Sequence, residues 1–448
     1  MMKSGGLTGA LTGVYLLATT AYGQSALDRA IEREIPSLLE TYRYLHTHPE
    51  ISYQEENTAG LVAKELRKLG FEVAERVGKY GEAHRTSYGV VAVMRNGNGP
   101  TVLVRTDMDA LPLEERTGLA YASTVKAKND AGEEVRVMHA CGHDVHMTSL
   151  LGTARMLSQM TDRWRGTLMM IAQPSEERGS GAKALLNDGL YARFPKPDYV
   201  LALHSHASLE AGKVGVREGY ALANVTSVDI TVRGVGGHGA YPHTTKDPVV
   251  LASQIVLALQ TIVSRENSPF DPAVVTVGSI HGGTKHNIIP DEVRLQITVR
   301  SYKEEVRKKI LASIERIVRG TAAAAGIPED RAPLVKIDES ESIAATYNDP
   351  EFTRRVAKVM ETALGQENVV LVEPTMAGED FEYYSLVDKI PLSLFWLGTV
   401  DPAKVEKSRK EGTQLPPLHS SLFAPLPEPT IRTGIKAMTS VVLDLMKK

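Results

Sequence analysis

From Leu27 to about Val216, runs of strand length alternate with runs of helical spacing. LDRAIEREIPSLLETYRYLHTHPE and NTAGLVAKELRKLGF repeat apolar residues every three or four positions, with Asn57 placed as an N-cap and Gly70 as a stop. GVVAVMR, TVLVRTDMDAL, TLMMIAQPS and YVLALHSH read as strands, and HMTSLLGTARMLSQM between them reads as a helix. Strands separated by helices imply an α/β fold, a mainly parallel sheet covered by helices on both faces. Ligands bind such sheets beyond the carboxyl ends of the strands. The polar residues collect there: Asp107 and Asp109 after VLVRT, Glu176 and Glu177 after MMIAQPS, and His204 after YVLAL.

The order changes over 222–339. A strand (VTSVDITVRG), a helix (PVVLASQIVLALQTIVSR), two strands (VVTVGSIHG, EVRLQITVRS), a second helix (EEVRKKILASIERIVRGTAAAAG) and a last strand (LVKIDE) follow one another. That β-α-β-β-α-β order is the ferredoxin-like split motif. Helix and strand then resume with PEFTRRVAKVMETALG and LSLFWLG, and TIRTGIKAMTSVVLDLM closes the chain. DPAKVEKSRKEGTQLPP between them reads as an exposed polar loop. The organisation expected is a larger domain in two parts, 24–221 and 340–448, with a smaller domain at 222–339 inserted between them.

Residues 1–23 read as an export signal. MMKSGG carries one Lys, LTGALTGVYLLATT is a short apolar run, and AYG offers a small-x-small cleavage site after Gly23. A periplasmic or secreted protein is expected. Lys+Arg 51 against Asp+Glu 54, with pI ≈ 6.5, leave no electrostatic footprint for nucleic acid or a membrane surface. With Cys 1, no internal disulfide can form.

The segment MHACGHDVH, 138–146, gathers His139, Cys141, His143, Asp144 and His146. Thiolate and imidazole are ligands for borderline transition metals. The competing reading is a buried structural Cys with solvent-facing histidines at a helix start. Glu176 and Glu177 in PSEERGSG can divide the labour, one ligating while the other moves a proton. Asp107 and Asp109 stand at i and i+2, on one side of an extended chain. His204 in LALHSHA and His419 in PPLHSS add imidazoles. No GxSxG and no GxxxxGK[ST] element occurs.

HACGHD, TDMDALP, QPSEERGSGAKAL, RGVGGHGAYPH, PAVVTVGSIHGGTKHNIIPDEVRLQITVRS, AGEDF and LHSS stand in that order. Together they resemble the aminoacylase/carboxypeptidase clan of di-metal amidohydrolases. Within it the chain is similar to the subgroup of hippurate hydrolases, indole-acetyl-amino-acid hydrolases and related N-acyl-amino-acid amidohydrolases. The similarity spans essentially the whole mature chain. It implies that the larger domain, 24–221 and 340–448, is a phosphorylase/hydrolase-like catalytic metal-binding domain, that the inserted 222–339 is a lid or dimerisation domain, and that the metal ligands are Cys141, His143, Glu177, His204 and His419. It implies Glu176 as general base and acid, Asp109 as a carboxylate bracing the ligands, and two divalent cations per subunit, Mn or Zn ahead of Co or Ni. His238 in GVGGHGAYPH is implied as the oxyanion donor, often from a partner subunit, and Asn287 in GTKHNIIP as a contact for the substrate. The implied substrate is a small N-acyl amino acid or peptide, and the implied assembly a homodimer or higher oligomer, with no nucleic-acid or membrane partner. A metallo-exopeptidase or dipeptidase with the same site is the alternative. A non-catalytic metal-binding protein on this scaffold is another, and the presence of Glu176 speaks against it. Arg178, where the family usually has Gly, and His206 depart from the pattern and bear on specificity.

Overall fold

The computed structural model describes residues 9–448, with side chains from Ala26 onward except Ser340 and Glu341. Of the expected export segment, residues 1–8 lie outside the described residues, and 9–25 enter only as backbone at the start of helix α1 (Gly9–Thr47).

The main sheet has eight strands: β1 (Glu72–Val77), β2 (Gly89–Asn96), β3 (Thr101–Asp107), β4 (Gly166–Gln173), β5 (Tyr199–Glu210), β6 (Val214–Val216), and two from late in the chain that take the labels β11 and β12 below. The second sheet holds β7 (Asn224–Arg233), β8 (Ala273–His281), β9 (Glu292–Ser301) and β10 (Leu334–Ile343); β11 (Val369–Leu371) and β12 (Leu392–Val400) return to the first. The main sheet runs β1-β2-β4-β3-β5-β12-β6-β11, parallel through its middle from β4 to β12. Its central strands are buried on both faces, as the near-continuous apolar runs of β3, β4 and β12 require. One face packs on α1, α2 (Glu56–Lys68), α3 (His143–Gln159), α6 (Pro350–Leu364) and α8 (Pro427–Leu445), where Leu38, Val62, Leu151, Val356 and Ile435 meet. The other face packs on Leu185, Leu190, Phe381 and Tyr384. Each such side chain contributes roughly 1.5–3 kcal/mol by leaving water.

The second sheet is fully antiparallel, in the order β8-β9-β7-β10, and is covered by α4 (Pro248–Thr261) and α5 (Glu304–Ala324). The chain order β7-α4-β8-β9-α5-β10 is the split motif read from the sequence. Its core is its own: Val228, Ile230, Leu251, Ile255, Leu295, Ile297, Ile310 and Ile314. Along β7 buried and more open residues alternate, the pattern of a sheet packed on one face. Val225 pairs with Arg300 across β7 and β9, at the end of this sheet that borders the site described below.

Two local readings are corrected. Asn57 is not the cap of α2: the helix begins at Glu56 behind Glu55, and the Asn57 side chain donates to Glu50 instead, at 2.7 Å. The supposed loop after β12 contains a helix, α7 (Pro402–Glu411), because Asp401 accepts from Ala403 N at its start, Pro402 opens it and Gly412 in the left-handed region stops it.

Candidate active site and metal centre

Most of the candidate residues stand just beyond the carboxyl ends of main-sheet strands or at the start of α3. β3 ends at Asp107, and the chain turns through Asp109. The HACGHD turn then delivers Cys141 and His143 to either side of Gly142, which has φ 83. A side chain at Gly142 would bring a Cβ to 2.6 Å from Ser205 Oγ, so the turn needs glycine for both its conformation and its space. β4 leads into Glu176 and Glu177, and β5 carries His204. His419 arrives from the loop before α8, itself left-handed at φ 62 and tied by its N–H to the Ala140 carbonyl at 2.9 Å.

The five expected ligands converge. Cys141 Sγ lies 3.6 Å from His204 Nε2. His143 Nε2 is 3.9 Å from Glu177 Oε1 and 3.8 Å from Glu176 Oε2. Glu177 Oε1 is 3.3 Å from His419 Nε2. Cys141, His143 and His204 form one group with ligand atoms within 4.8 Å of one another; Cys141, Glu177 and His419 form a second. His204 donates from Nδ1 to the Ser205 carbonyl at 2.9 Å, which leaves Nε2 facing the thiol. Among the described residues, His143 Nε2 and Glu177 Oε1 are buried with no partner in hydrogen-bonding geometry. Such atoms are costly unless something pairs with them.

The charge balance points the same way. Around one buried arginine, Arg105, stand Asp107, Glu176, Glu379 and Asp380, all buried, and Asp109 is buried as well. Burial, then the Glu379 and Glu177 charges, push the Glu176 carboxyl well above the carboxylate range. Burial, then Glu177 and Glu176, push the Cys141 thiol well up. Burial works against a charge on His143, but Asp107 and Asp109 outweigh it and hold its pKa up to about 10. Burial and His146 keep His204 well below its ordinary value, in the neutral form that ligates. A soft thiolate, imidazoles, a carboxylate and an excess of negative charge fit two divalent cations. The histidines of the HACGHDVH segment are buried (His139 2%, His143 0%, His146 1%), which removes the reading of solvent-facing imidazoles beside a structural thiol.

Asp109 holds the glutamate loop. Its Oδ1 accepts from Glu176 N and its Oδ2 from Glu177 N, each at 3.1 Å, and Ser52 donates to Oδ2 at 2.6 Å. Beneath lies a network that sequence reasoning missed. Arg105 donates to Asp107 at 2.7 Å and Glu379 at 2.8 Å; Gln173 donates to Asp380 at 2.7 Å. Asp107 also takes His146 Nδ1 at 2.7 Å, so both its oxygens are engaged. An arginine inside the apolar run VLVRTD was the available signal.

The site opens into a cavity of about 950 Å³. Cys141, Glu176, Glu177, His204 and His419 line one end, and Leu222, Val225, Ile343, Trp396 and Leu418 supply apolar wall. His206 also lines it, edge-on to Trp396 at 5.7 Å, as a half-buried imidazole that burial keeps neutral. Arg300 is the cation of note. It donates to the Met376 carbonyl at 2.7 Å and to the Thr298 hydroxyl at 3.4 Å; burial lowers its pKa, and among the described residues no carboxylate pairs with it. Arg178, by contrast, is paired with Asp130 at 2.5 Å. His238 and Asn287 stand together on an exposed ribbon, where Gly237–His238 pairs with Ile288–Ile289 and Gly239 N donates to the Asn287 carbonyl at 2.9 Å. Neither lines this cavity.

Comparison with known proteins places this geometry. The sequence model of peptidase family M20/M25/M40 matches residues 103–418. Thermostable carboxypeptidase 1 of Saccharolobus solfataricus is 37% identical over 420 residues, 93% of this chain and 97% of its own. Hippurate hydrolase of Campylobacter jejuni is 38% identical over 347 residues, 77% of this chain and 84% of its own. Among solved structures, a dinuclear metal-binding peptidase of the M20 family from Bacillus subtilis matches with a TM-score of 0.71 at 27% identity, over 93% of this chain and 99% of its own.

Proposed function

This chain belongs to peptidase family M20/M25/M40, and from that premise we propose that it hydrolyses the amide bond of N-acyl amino acids, releasing a carboxylic acid and an amino acid. One juxtaposition carries the reading. Glu176 opens into the same cavity as the Cys141, His204, Glu177 and His419 donors, and that cavity also holds a guanidinium, Arg300, with no carboxylate partner among the described residues. Cys141, His143, Glu177, His204 and His419 would hold two divalent cations, which would make a water more acidic and the scissile carbonyl more electrophilic. The chain does the rest. Glu176 accepts the proton of the attacking water and hands it to the leaving amide nitrogen, which departs as the amine of the amino acid. Arg300 takes the α-carboxylate by charge-assisted hydrogen bonds and so sets which side of the amide is the amino acid. Leu222, Val225, Ile343 and Trp396 give the apolar groups of the substrate a wall that excludes water.

The mixed sulfur, nitrogen and oxygen donors suit Mn or Zn, and also accommodate Co or Ni. Val249, Val250 and Leu257 on α4 expose apolar surface, with Phe270 beyond it 92% exposed, which supports a homodimer through the inserted domain. In that arrangement His238 of one subunit donates to the oxyanion in the site of the other, and Asn287 meets the substrate beside it. The leader composition of 1–23 supports export to the periplasm or beyond. A metallo-exopeptidase or dipeptidase with the same site is the second reading, favoured by the name carboxypeptidase of the Saccharolobus solfataricus relative.

The test is a hydrolysis panel on protein loaded with Mn or Zn: N-acetyl, N-benzoyl and indole-acyl amino acids beside N-blocked dipeptides, scored by released amine. Turnover of the N-acyl amino acids supports the proposal. Cleavage of the dipeptides alone moves the assignment to the exopeptidase, and no release from any of them refutes both.

A further inference from the structure

Three successive backbone amides lead into the glutamate loop, and all three end on buried carboxylates. Those of Glu176 and Glu177 reach Asp109. The first, Ser175 N, donates to Glu55 Oε1 at 2.7 Å. Glu55 is wholly buried, stands at the N-cap of α2, and has no part in the chemistry above.

Ser175 is held in an unfavourable conformation. Its φ of 53 lies in the left-handed region, uncommon for a residue with a side chain and strained unless the surroundings enforce it. The enforcement is visible. The Ser175 hydroxyl donates to Glu55 Oε1 at 3.2 Å and accepts from Tyr80 at 2.9 Å and from Tyr53 N at 3.1 Å. Its carbonyl accepts from Ser180 N at 3.3 Å and Gly181 N at 3.2 Å. Tyr53, at φ 70, is itself left-handed, so two strained residues face each other across one hydrogen bond beside Glu55. The far end of the loop has no slack either, because a side chain at Gly181 would run into the Pro174 carbonyl. The backbone at Ser175 therefore decides where the Glu176 side chain begins.

We propose that Glu55 is a positioning residue for Glu176: its carboxyl clamps Ser175 in the left-handed conformation and so aims Glu176 into the site. The proposal rests on the reading of Glu176 as the proton carrier. The operative feature is an acceptor at the Oε1 position, not a negative charge. Burial, then the Asp109 charge, raise the Glu55 carboxyl to about 8, and among the described residues its second oxygen has no hydrogen-bond partner. A neutral group of the same shape therefore serves. A contact that only tied α2 to the loop would change stability and leave turnover alone.

The experiment compares wild type, Glu55→Ala, Glu55→Asp, Glu55→Gln, Glu176→Gln and the double variant Glu55→Ala/Glu176→Gln, each metal-replete by elemental analysis. Glu55→Ala and Glu55→Asp, which remove the acceptor or withdraw it from Ser175, lower kcat about 10- to 100-fold with KM nearly unchanged, as a displaced catalytic group does. Glu55→Gln keeps the acceptor and recovers kcat to within about threefold of wild type. In the Glu176→Gln background the Ala substitution costs nothing further, because Glu55 acts only through Glu176. Near-wild-type kcat in Glu55→Asp, a Gln variant as slow as the Ala variant, or an equal loss in both backgrounds overturns the proposal. Crystal structures of Glu55→Ala and Glu55→Asp check it without any substrate: Ser175 leaves the left-handed region and the Glu176 carboxylate moves, and retention of both refutes the clamp. Wild-type protein inactive on every N-acyl amino acid would refute the proposed function instead.

Discussion

The His143 ring is fixed by Asp109, whose backbone carbonyl accepts its Nδ1–H at 2.7 Å while the Asp109 carboxylate lies 3.6 Å away. That hydrogen bond decides which nitrogen is left to ligate. With Nδ1 committed, Nε2 faces Glu176 and Glu177. In the metal-free protein the surrounding carboxylates keep a proton on it, since the pKa is held up to about 10. The Cys141 thiol is likewise protonated at neutral pH, burial having raised it. Both groups must lose a proton to ligate, so metal loading at pH 7 releases at least about two protons per subunit. Calorimetric titration in two buffers of different ionisation enthalpy measures the number. Cys141→Ala lowers both that number and the bound metal. Unchanged stoichiometry in this variant would return Cys141 to a packing role.

Arg300 gives a prediction about recognition. Loss of one charge-assisted contact costs about 1.5–3 kcal/mol, so Arg300→Ala lowers kcat/KM for N-acyl amino acids roughly 10- to 100-fold. The matching N-acyl amino acid amide, which has no carboxylate, is affected far less. A parallel loss on both substrates would show that Arg300 shapes the cavity rather than reading charge.

The imidazole of His46 sits between two carboxylates, Asp144 at 2.7 Å and Glu115 at 3.2 Å. Burial opposes its charge, but those two hydrogen bonds prevail and raise its pKa from 6.5 to about 10. A raised histidine pKa stabilises the fold fully below 6.5, and that contribution fades as pH rises through about 10. His46→Gln therefore costs roughly 3–5 kcal/mol near pH 6, the scale of breaking a buried pair. The Tm gap to wild type narrows steadily up to pH 10. A gap that stays constant across that range would mean His46 is neutral in the fold.

The sequence made the strand ends legible, because apolar runs broken by Asp, Glu and His are conspicuous in Asp107, Glu176 and His204. It made the split motif legible too, since β7 to β10 and their two helices carry clean periodicities. What it concealed is held by long-range packing. Arg105 meets Glu379 only when β3 and the segment before Tyr383 fold against each other; an arginine in an apolar run signals a buried partner but does not say which carboxylate it is. Glu55 accepts from Ser175, 120 positions further along the chain, a contact that no local pattern marks. Helix α7 was hidden by its polarity, although Asp401, Pro402 and Gly412 stood in the sequence as cap, first turn and stop.

His238 lies outside the cavity lining of its own chain, so its part in turnover is a prediction about assembly. His238→Ala keeps its metal and loses most of kcat, because an oxyanion donor acts in the transition state. Mixing Glu176→Gln and His238→Ala chains then restores part of the activity, since one site of each heterodimer regains both groups. No recovery after verified subunit exchange would confine His238 to its own chain or to no role.

The central claim is that Glu176 moves the proton in amide hydrolysis at this site, and one variant tests it most directly. Glu176→Gln keeps the shape of the side chain and removes the proton acceptor. The measurement is kcat of the metal-replete variant on the N-acyl amino acid that wild type cleaves fastest. The account predicts a fall of about 10²–10⁴-fold or more with full metal content and an unchanged fold. Near-native kcat with both metals bound would contradict it.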